Sequence, residues 1–151
     1  MGLPVTSLRP RESTPTRGLT GGLTATVLVA IAALHVAWGL GSSFPFQSRE
    51  ELADSVVGTD EVPSSLACLA VAALLVLAAT LVLGVLPLPK RLRTIALRVL
   101  TAVLMTRGVA GALGRTSTLS PGSDSPAFMR LDKRLYSPIC LWLAAGVRRS
   151  M

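Results

Sequence analysis

The chain has 151 residues, room for one domain, and half of them are apolar while only 15% are charged. A soluble domain of this size usually carries about a quarter charged residues, so the composition excludes an ordinary water-soluble protein and indicates lipid as the main solvent. The net charge of +7 comes from Lys and Arg residues scattered between apolar segments, which argues against a nucleic-acid-binding surface and favours a role in membrane topology.

The N-terminal part divides into a polar tail and the first apolar segment. Residues 1–17 are rich in Arg, Ser, Thr and Pro, a composition that predicts a disordered cytoplasmic tail. Residues 18–40 form an apolar run that is too long for the core of a cleaved signal peptide and close to the roughly 20 residues that cross a bilayer. We expect a retained transmembrane helix, with Trp38 in the interfacial aromatic belt and His35 on a face that turns small and polar.

The second and third apolar segments differ in their charge. Residues 64–86 carry no charged residue, begin after a serine N-cap signal and end at Pro87, so they are the clearest membrane span. Residues 93–114 form a third span that contains Arg98 and Arg107. An arginine at a helix centre costs about 2.5–3.5 kcal/mol on an insertion scale, and Arg98 can reach back to the basic loop before it. Arg107 cannot reach that loop, so we expect it to face other helices.

The C-terminal part carries two helix-start signals. Ser125-Pro126 predicts a short interfacial helix, and Ser137-Pro138 opens a fourth span at about residues 136–149. This span is short for a bilayer, and we expect a proline kink to join it to the interfacial helix. Lys and Arg are more numerous in the segments that an N-in, C-in topology places inside. The predicted fold is all-α, an integral membrane four-helix bundle in which residues 18–151 form one domain.

With this topology, several polar residues fall at a similar depth near the outer ends of the helices. Ionisable residues inside a membrane usually face the interior of a bundle or a wet cavity. We therefore expect an outer-leaflet polar pocket, with Asp132 as the ion-pair partner of Arg107. Two structural alternatives stay open: the ion pair only fixes the interfacial helix, and the histidine only hydrogen-bonds across helices. The candidate pocket residues are His35, Trp38, Arg107, Asp132 and Tyr136.

The two cysteines predict little chemistry. Cys68 and Cys140 both fall near outer helix ends, where they could form a thiol pair, but buried single cysteines are commonly small core residues. Neither has a C-x-x-C partner, and one histidine cannot build a metal site. The sequence therefore predicts no metal, no cofactor and no catalytic residue.

Three motifs carry a resemblance to a known family. They are His35-x-x-Trp38-Gly39-x-Gly41 at the end of the first span, Arg107-Gly108 in the third, and Leu-Asp-Lys-Arg-Leu-Tyr-Ser-Pro-Ile-Cys at residues 131–140. With them, residues 19–147 resemble the small bacterial membrane proteins, common in actinobacteria, of the domain-of-unknown-function family 3995. The resemblance implies four transmembrane helices and implies no activity.

These observations favour a non-enzymatic multi-pass protein of the bacterial plasma membrane. We expect its outer pocket to bind a small or lipid-like ligand or a partner membrane protein. The alternatives are a membrane-embedded enzyme or redox protein acting on a lipid or quinone, with His35 as proton carrier and Arg107 as anion clamp, and a subunit whose polar residues serve only assembly. The sequence does not determine the oligomeric state.

Overall fold

The computed structural model describes residues 15–119 and 121–151, with side chains from residue 18 onward. Within these residues the regular secondary structure is entirely helical. Two short helices continue directly into wide π-helical turns, and one 3₁₀ turn lies between the third long helix and the second short one. The helices are α1 (Pro15–Gly39), α2 (Arg49–Leu52), α3 (Ser65–Leu83), α4 (Lys90–Ala112), α5 (Pro126–Leu131) and α6 (Ser137–Arg149); the π turns are Ala53–Val57 and Asp132–Tyr136, and the 3₁₀ turn is Thr116–Thr118.

Three of these helices are long and apolar enough to cross a membrane. They are α1 from Gly18 onward, α3 and α4, which matches the first three predicted spans and indicates a membrane protein. α1 begins at Pro15, so the last residues of the predicted tail are helical, and residues 1–14 lie outside the described part. α4 begins at Lys90, three residues before the prediction, directly after Pro89.

The last predicted span has a different geometry from the one expected. α6 is short, with 13 residues, but α5, the π turn Asp132–Tyr136 and α6 follow one another without a break. Residues 126–149 are therefore helical throughout, a length of about 36 Å at 1.5 Å per residue. α6 begins at Ser137, where the Ser-Pro signal predicted a helix start, but a π turn instead of the predicted proline kink joins it to α5.

The long helices share one apolar core in the lower half of the molecule, the end at which α3 and α6 terminate. α1 packs along α3, and α4 packs along α6. The buried members of the core are Ala25, Leu28, Ala78, Ala79, Leu81, Val82, Leu97, Leu143 and Val147. Arg93 closes this end, since its guanidinium donates to the carbonyl oxygens of Leu81 (3.0 Å), Val82 (3.1 Å) and Ser150 (3.2 Å). A cation is well placed there, because the carbonyls at helix C-termini carry partial negative charge.

The upper end, where α1 ends and α3 begins, is covered by residues 49–57, which we call the α2 cap. The cap lies against α5, where the Ser125 hydroxyl donates to the carbonyl oxygen of Asp54 at 2.8 Å. Gly58 ends the cap with φ +80°, and a Cβ at this position would lie 2.9 Å from the Phe128 ring. Only glycine combines this backbone conformation with such close packing, so the cap and α5 form one layer.

Candidate functional site

The ion pair predicted between Arg107 and Asp132 is present. Arg107 Nη1 on α4 lies 2.9 Å from Asp132 Oδ1 in the π turn after α5, and Asp132 is only 1% exposed. The Ser137 hydroxyl donates to Oδ1 at 3.1 Å, and the buried Thr116 hydroxyl donates to Oδ2. The carboxylate therefore has an opposite charge and two hydroxyl donors, the satisfaction that a buried charge requires.

The wide π turn explains why Ser137 can reach the carboxylate. The backbone N–H of Ser137 bonds to the carbonyl of Asp132, five residues earlier, which places both side chains on one face. The Ser137 hydroxyl therefore bonds to Asp132 and does not cap a helix. The Ser-Pro sequence had predicted the cap. Single π turns inside α-helices are frequent at functional sites.

Gly111 provides the space in which the ion pair forms. A Cβ at position 111 would lie 2.6 Å from Asp132 Oδ2 and 2.7 Å from Arg107 Nη1. Because these distances are far below van der Waals contact, any larger residue would separate α4 from the carboxylate. The structure thus makes Gly111, one of the glycines of the third span, a part of the polar site.

Arg107 keeps hydrogen-bonding capacity that the ion pair does not use. Nη1 is enclosed, yet its N–H groups make no aligned hydrogen bond with any residue in the described part of the chain. Its contact with Asp132 is therefore a charge pair, and the 2.9 Å separation determines its strength. The guanidinium carbon lies 6.0 Å from the centre of the Phe128 ring, and the side chain is 30% exposed. A guanidinium has five N–H donors, and since the two on Nη1 are enclosed, the donors that a ligand could reach are those on Nε and Nη2.

His35 and Trp38 form an adjoining polar pair near the end of α1. His35 Nδ1 lies 2.9 Å from the carbonyl oxygen of Ile31, and because a carbonyl only accepts, Nδ1 carries the proton of this bond. This leaves Nε2 as the ring nitrogen available to a ligand. The two rings lie 4.8 Å apart, and Trp38 Nε1 donates to the carbonyl oxygen of Phe44 at 2.7 Å. Trp38 was predicted in the interfacial belt, and with 8% exposure its ring is covered by protein instead of facing lipid.

A partly open cavity of about 380 Å³ separates the upper halves of α3 and α4. His35 and Arg107 both line this cavity, as the predicted pocket required. Most of the remaining wall is apolar and comes from the α2 cap, the loop after it, α3 and α5. The apolar residues include Leu52, Val56, Val62, Ala67, Val71 and Phe128.

The cavity reaches the side surface of the molecule at α3. Val71 lines it and is still 40% exposed, and Ala67 one turn earlier is also a lining residue with an exposed side chain. Val71 lies about 9 Å along the helix from Ser65, well inside a helix that is apolar enough to cross a membrane. The exposed lining residues therefore extend from Pro63, in the loop before α3, to Val71 on the apolar surface of α3.

Two predicted pocket residues lie outside the cavity wall. Asp132 lies behind Arg107, because its carboxylate is turned toward Thr116 and Ser137. The Tyr136 hydroxyl donates to the carbonyl oxygen of Ser55 at 3.2 Å, so this side chain fixes the α2 cap. Both residues were predicted to line the pocket, and this placement is corrected: Asp132 orients Arg107, and Tyr136 holds the α2 cap in place.

The two cysteines are free thiols in different surroundings. Cys68 is buried, lines the cavity and donates to the carbonyl oxygen of Pro63 over 3.8 Å. Cys140 is half-buried on α6 and does not contribute to the cavity wall. Across residues 15–119 and 121–151, no three His, Cys, Asp or Glu side chains come close enough to hold a metal ion.

The sequence had not indicated the α2 cap or the hydroxyl partners of Asp132. Residues 50–61 hold five acidic residues, a composition typical of a polar loop. The signal lay in the apolar residues Leu52 and Val56 between the acids and Val62 directly after them, which line the cavity. Thr116 gave no signal, because a threonine in a polar loop is ordinary in sequence.

A comparison with known families finds one match to this chain. The model of a family described as "Protein of unknown function (DUF3995)" matches residues 28–147, a range that contains the cavity wall and the ion pair. No curated protein and no solved structure matches.

Proposed function

Since this chain belongs to the DUF3995 family, whose function is unknown, we propose a function from its cavity: it binds a small, lipid-like molecule within the membrane. The observation that carries this proposal is that His35 and Arg107 face one cavity whose other walls are mostly apolar. Ligand sites of this kind combine apolar walls with a few convergent polar groups, and volumes of roughly 300–1,000 Å³ are typical.

The sideways opening supports a lipid-like ligand over a water-soluble one. A molecule that enters between α3 and α4 at Val71 comes from the hydrocarbon region of the bilayer. The α2 cap covers the cavity from above, with Leu52 and Val56 turned toward it. A ligand could thus place its polar head near Arg107 while its apolar part extends into the membrane.

We place the protein in the bacterial plasma membrane as a multi-pass four-helix bundle with both termini inside. The helical stretch at residues 126–149 is long enough to serve as the fourth crossing. The lower end carries Lys90, Arg91, Arg148 and Arg149, whereas the acidic residues of the α2 cap lie at the upper end. This distribution supports the lower end as the inside, because Lys and Arg are concentrated in cytoplasmic loops.

An enzyme or redox protein acting on a lipid or quinone is the alternative that the sequence left open. Such a protein would need a reactive group at the cavity, for which His35 and Cys68 are the candidates. A ligand that leaves the purified protein chemically unchanged supports binding, and one that is converted supports the alternative.

The experiment is gentle extraction of the protein followed by identification of co-purified molecules by mass spectrometry. Ala67→Phe places a ring in the cavity, and Ala73→Phe adds the same ring to an exposed position of α3 outside the cavity wall. We expect a lipid-like molecule with the wild type and with Ala73→Phe, and its loss with Ala67→Phe. Equal amounts in all three proteins would contradict the proposal.

A further inference from the structure

We infer that the molecule bound in the cavity has an uncharged head with a hydrogen-bond-accepting oxygen, such as an ester or ketone carbonyl, and not an anionic head. The inference rests on the proposed function, because it names the ligand class of the same cavity. It follows from three observations: the charge at Arg107 is already compensated, its donors are not all used, and most of the rest of the wall is apolar.

The charge of Arg107 is not available for an anion. Asp132 lies 2.9 Å away, is 1% exposed, and is fixed by the Thr116 and Ser137 hydroxyls. The pair is therefore neutral as a unit, and Asp132 cannot turn away without leaving a buried charge unpaired. An anionic head in the cavity would add an uncompensated negative charge close to this carboxylate, at a large desolvation cost.

The guanidinium nevertheless has donors for a neutral acceptor. Nη1 is enclosed beside Asp132, but the side chain as a whole keeps 30% of its surface exposed and lines the cavity, so its other N–H groups are the donors that a ligand could reach. A carbonyl oxygen would accept from them without bringing in a charge. His35 adds one nitrogen, Nε2, that could accept from a hydroxyl on the same head.

The shape of the cavity agrees with a head followed by one apolar chain. The Phe128 ring lies beside Arg107, and the valines of the α2 cap and the following loop line the same cavity. A volume of about 380 Å³ holds a head and the beginning of a chain, and the exposed Val71 marks where the chain would leave.

Trp38 provides a direct test, because its buried ring lines the cavity. The chain has two tryptophans, and Trp142→Phe removes the other, which is 45% exposed. Two probes share one brominated long chain, whose bromine atoms quench a tryptophan on contact: one ends in a methyl ester, the other in a sulfonate that stays ionised. Each is titrated into the Trp142→Phe protein in micelles, with Trp142→Phe/Ala67→Phe as the blocked reference.

We expect the ester to quench Trp38 at a concentration at least about tenfold lower than the sulfonate, after subtraction of the blocked reference. The same preference should persist in His35→Gln, which removes any contribution from imidazole charge. In Asp132→Asn the preference should shrink or reverse, because Arg107 then carries an uncompensated charge. If that variant does not fold, the comparison of the two probes on the parent protein still decides.

Equal or tighter binding of the sulfonate to the parent protein would overturn the uncharged head and leave ligand binding itself supported. If neither probe quenches Trp38 more than in the blocked reference, the proposed function fails, and the inference fails with it.

Discussion

Arg107 and Asp132 meet at 2.9 Å, but their surroundings differ: the carboxylate is sealed inside the protein, whereas the guanidinium forms part of a cavity wall. This asymmetry separates two roles. Asp132 fixes and neutralises the arginine, and Arg107 presents its remaining donors to the cavity. The pair is therefore a structural element and also the polar end of the proposed binding site.

The asymmetry predicts unequal costs of breaking the pair. Arg107→Leu leaves a 1% exposed carboxylate without its cation, and we expect a loss of about 3 kcal/mol in stability. Asp132→Asn leaves a partly exposed arginine, and we expect a loss of about 1 kcal/mol. Thermal unfolding in detergent measures both, with Arg98→Leu as control, since Arg98 is exposed on the same helix. Equal losses of stability for the two variants would show that leaving the carboxylate unpaired costs no more than leaving the guanidinium unpaired.

Gly111→Ala should disrupt the site from the side of α4. Its Cβ would lie 2.6 Å from Asp132 Oδ2, so α4 must shift, and we expect a loss of about 1–3 kcal/mol. Gly22→Ala is the matched control, because a Cβ on this helical glycine meets nothing within 4 Å and should be neutral or slightly stabilising. Melting temperatures that are unchanged in Gly111→Ala would contradict the close approach.

Trp38 should stabilise the loop above the cavity through its hydrogen bond to Phe44. Trp38→Phe keeps an aromatic ring and removes the donor, so we expect a loss of about 1 kcal/mol and faster hydrogen exchange in residues 43–47. Trp142→Phe is the same substitution at a 45% exposed ring and should change neither quantity. An identical response of both variants would mean that the Trp38 bond does not hold the loop.

The proposed topology can be tested with single cysteines in a background of Cys68→Ala and Cys140→Ala. Asp60→Cys reports the upper end and Met151→Cys the lower end, and both positions are exposed. A membrane-impermeant maleimide added to intact cells should label the first and not the second, because the basic lower end is placed inside. Labelling of Met151→Cys in intact cells would contradict the N-in, C-in arrangement.

The sequence predicted those features that follow from isolated charge in an apolar environment. Arg107 lies deep in an apolar segment, where a charge requires a partner, and Asp132 was the acid within reach. The same argument could not predict which groups the Ser137 and Tyr136 hydroxyls would contact. Ser-Pro is a helix-start signal, and the competing use of the serine hydroxyl depends on a π turn that no local pattern announces.

The residues that cover the cavity could not be predicted from the sequence either. Leu52 and Val56 are separated by acidic and small residues, and they pack against Trp38 and Cys68, which lie on α1 and α3 and are distant in the chain. Trp38 was assigned to the lipid interface because tryptophans near span ends usually lie there. The carbonyl of Phe44 gives its N–H a partner inside the protein, which only the folded loop provides.

The most direct test of the account is the native mass spectrum of the protein released from gentle detergent, recorded for the wild type, Ala67→Phe and Ala73→Phe. The account predicts a bound lipid-like mass on the wild type and on Ala73→Phe, and the unliganded mass alone on Ala67→Phe, whose ring occupies the cavity between α3 and α4. A wild-type protein that carries no such mass, or an Ala67→Phe protein that retains it in full, would contradict a ligand site at His35 and Arg107.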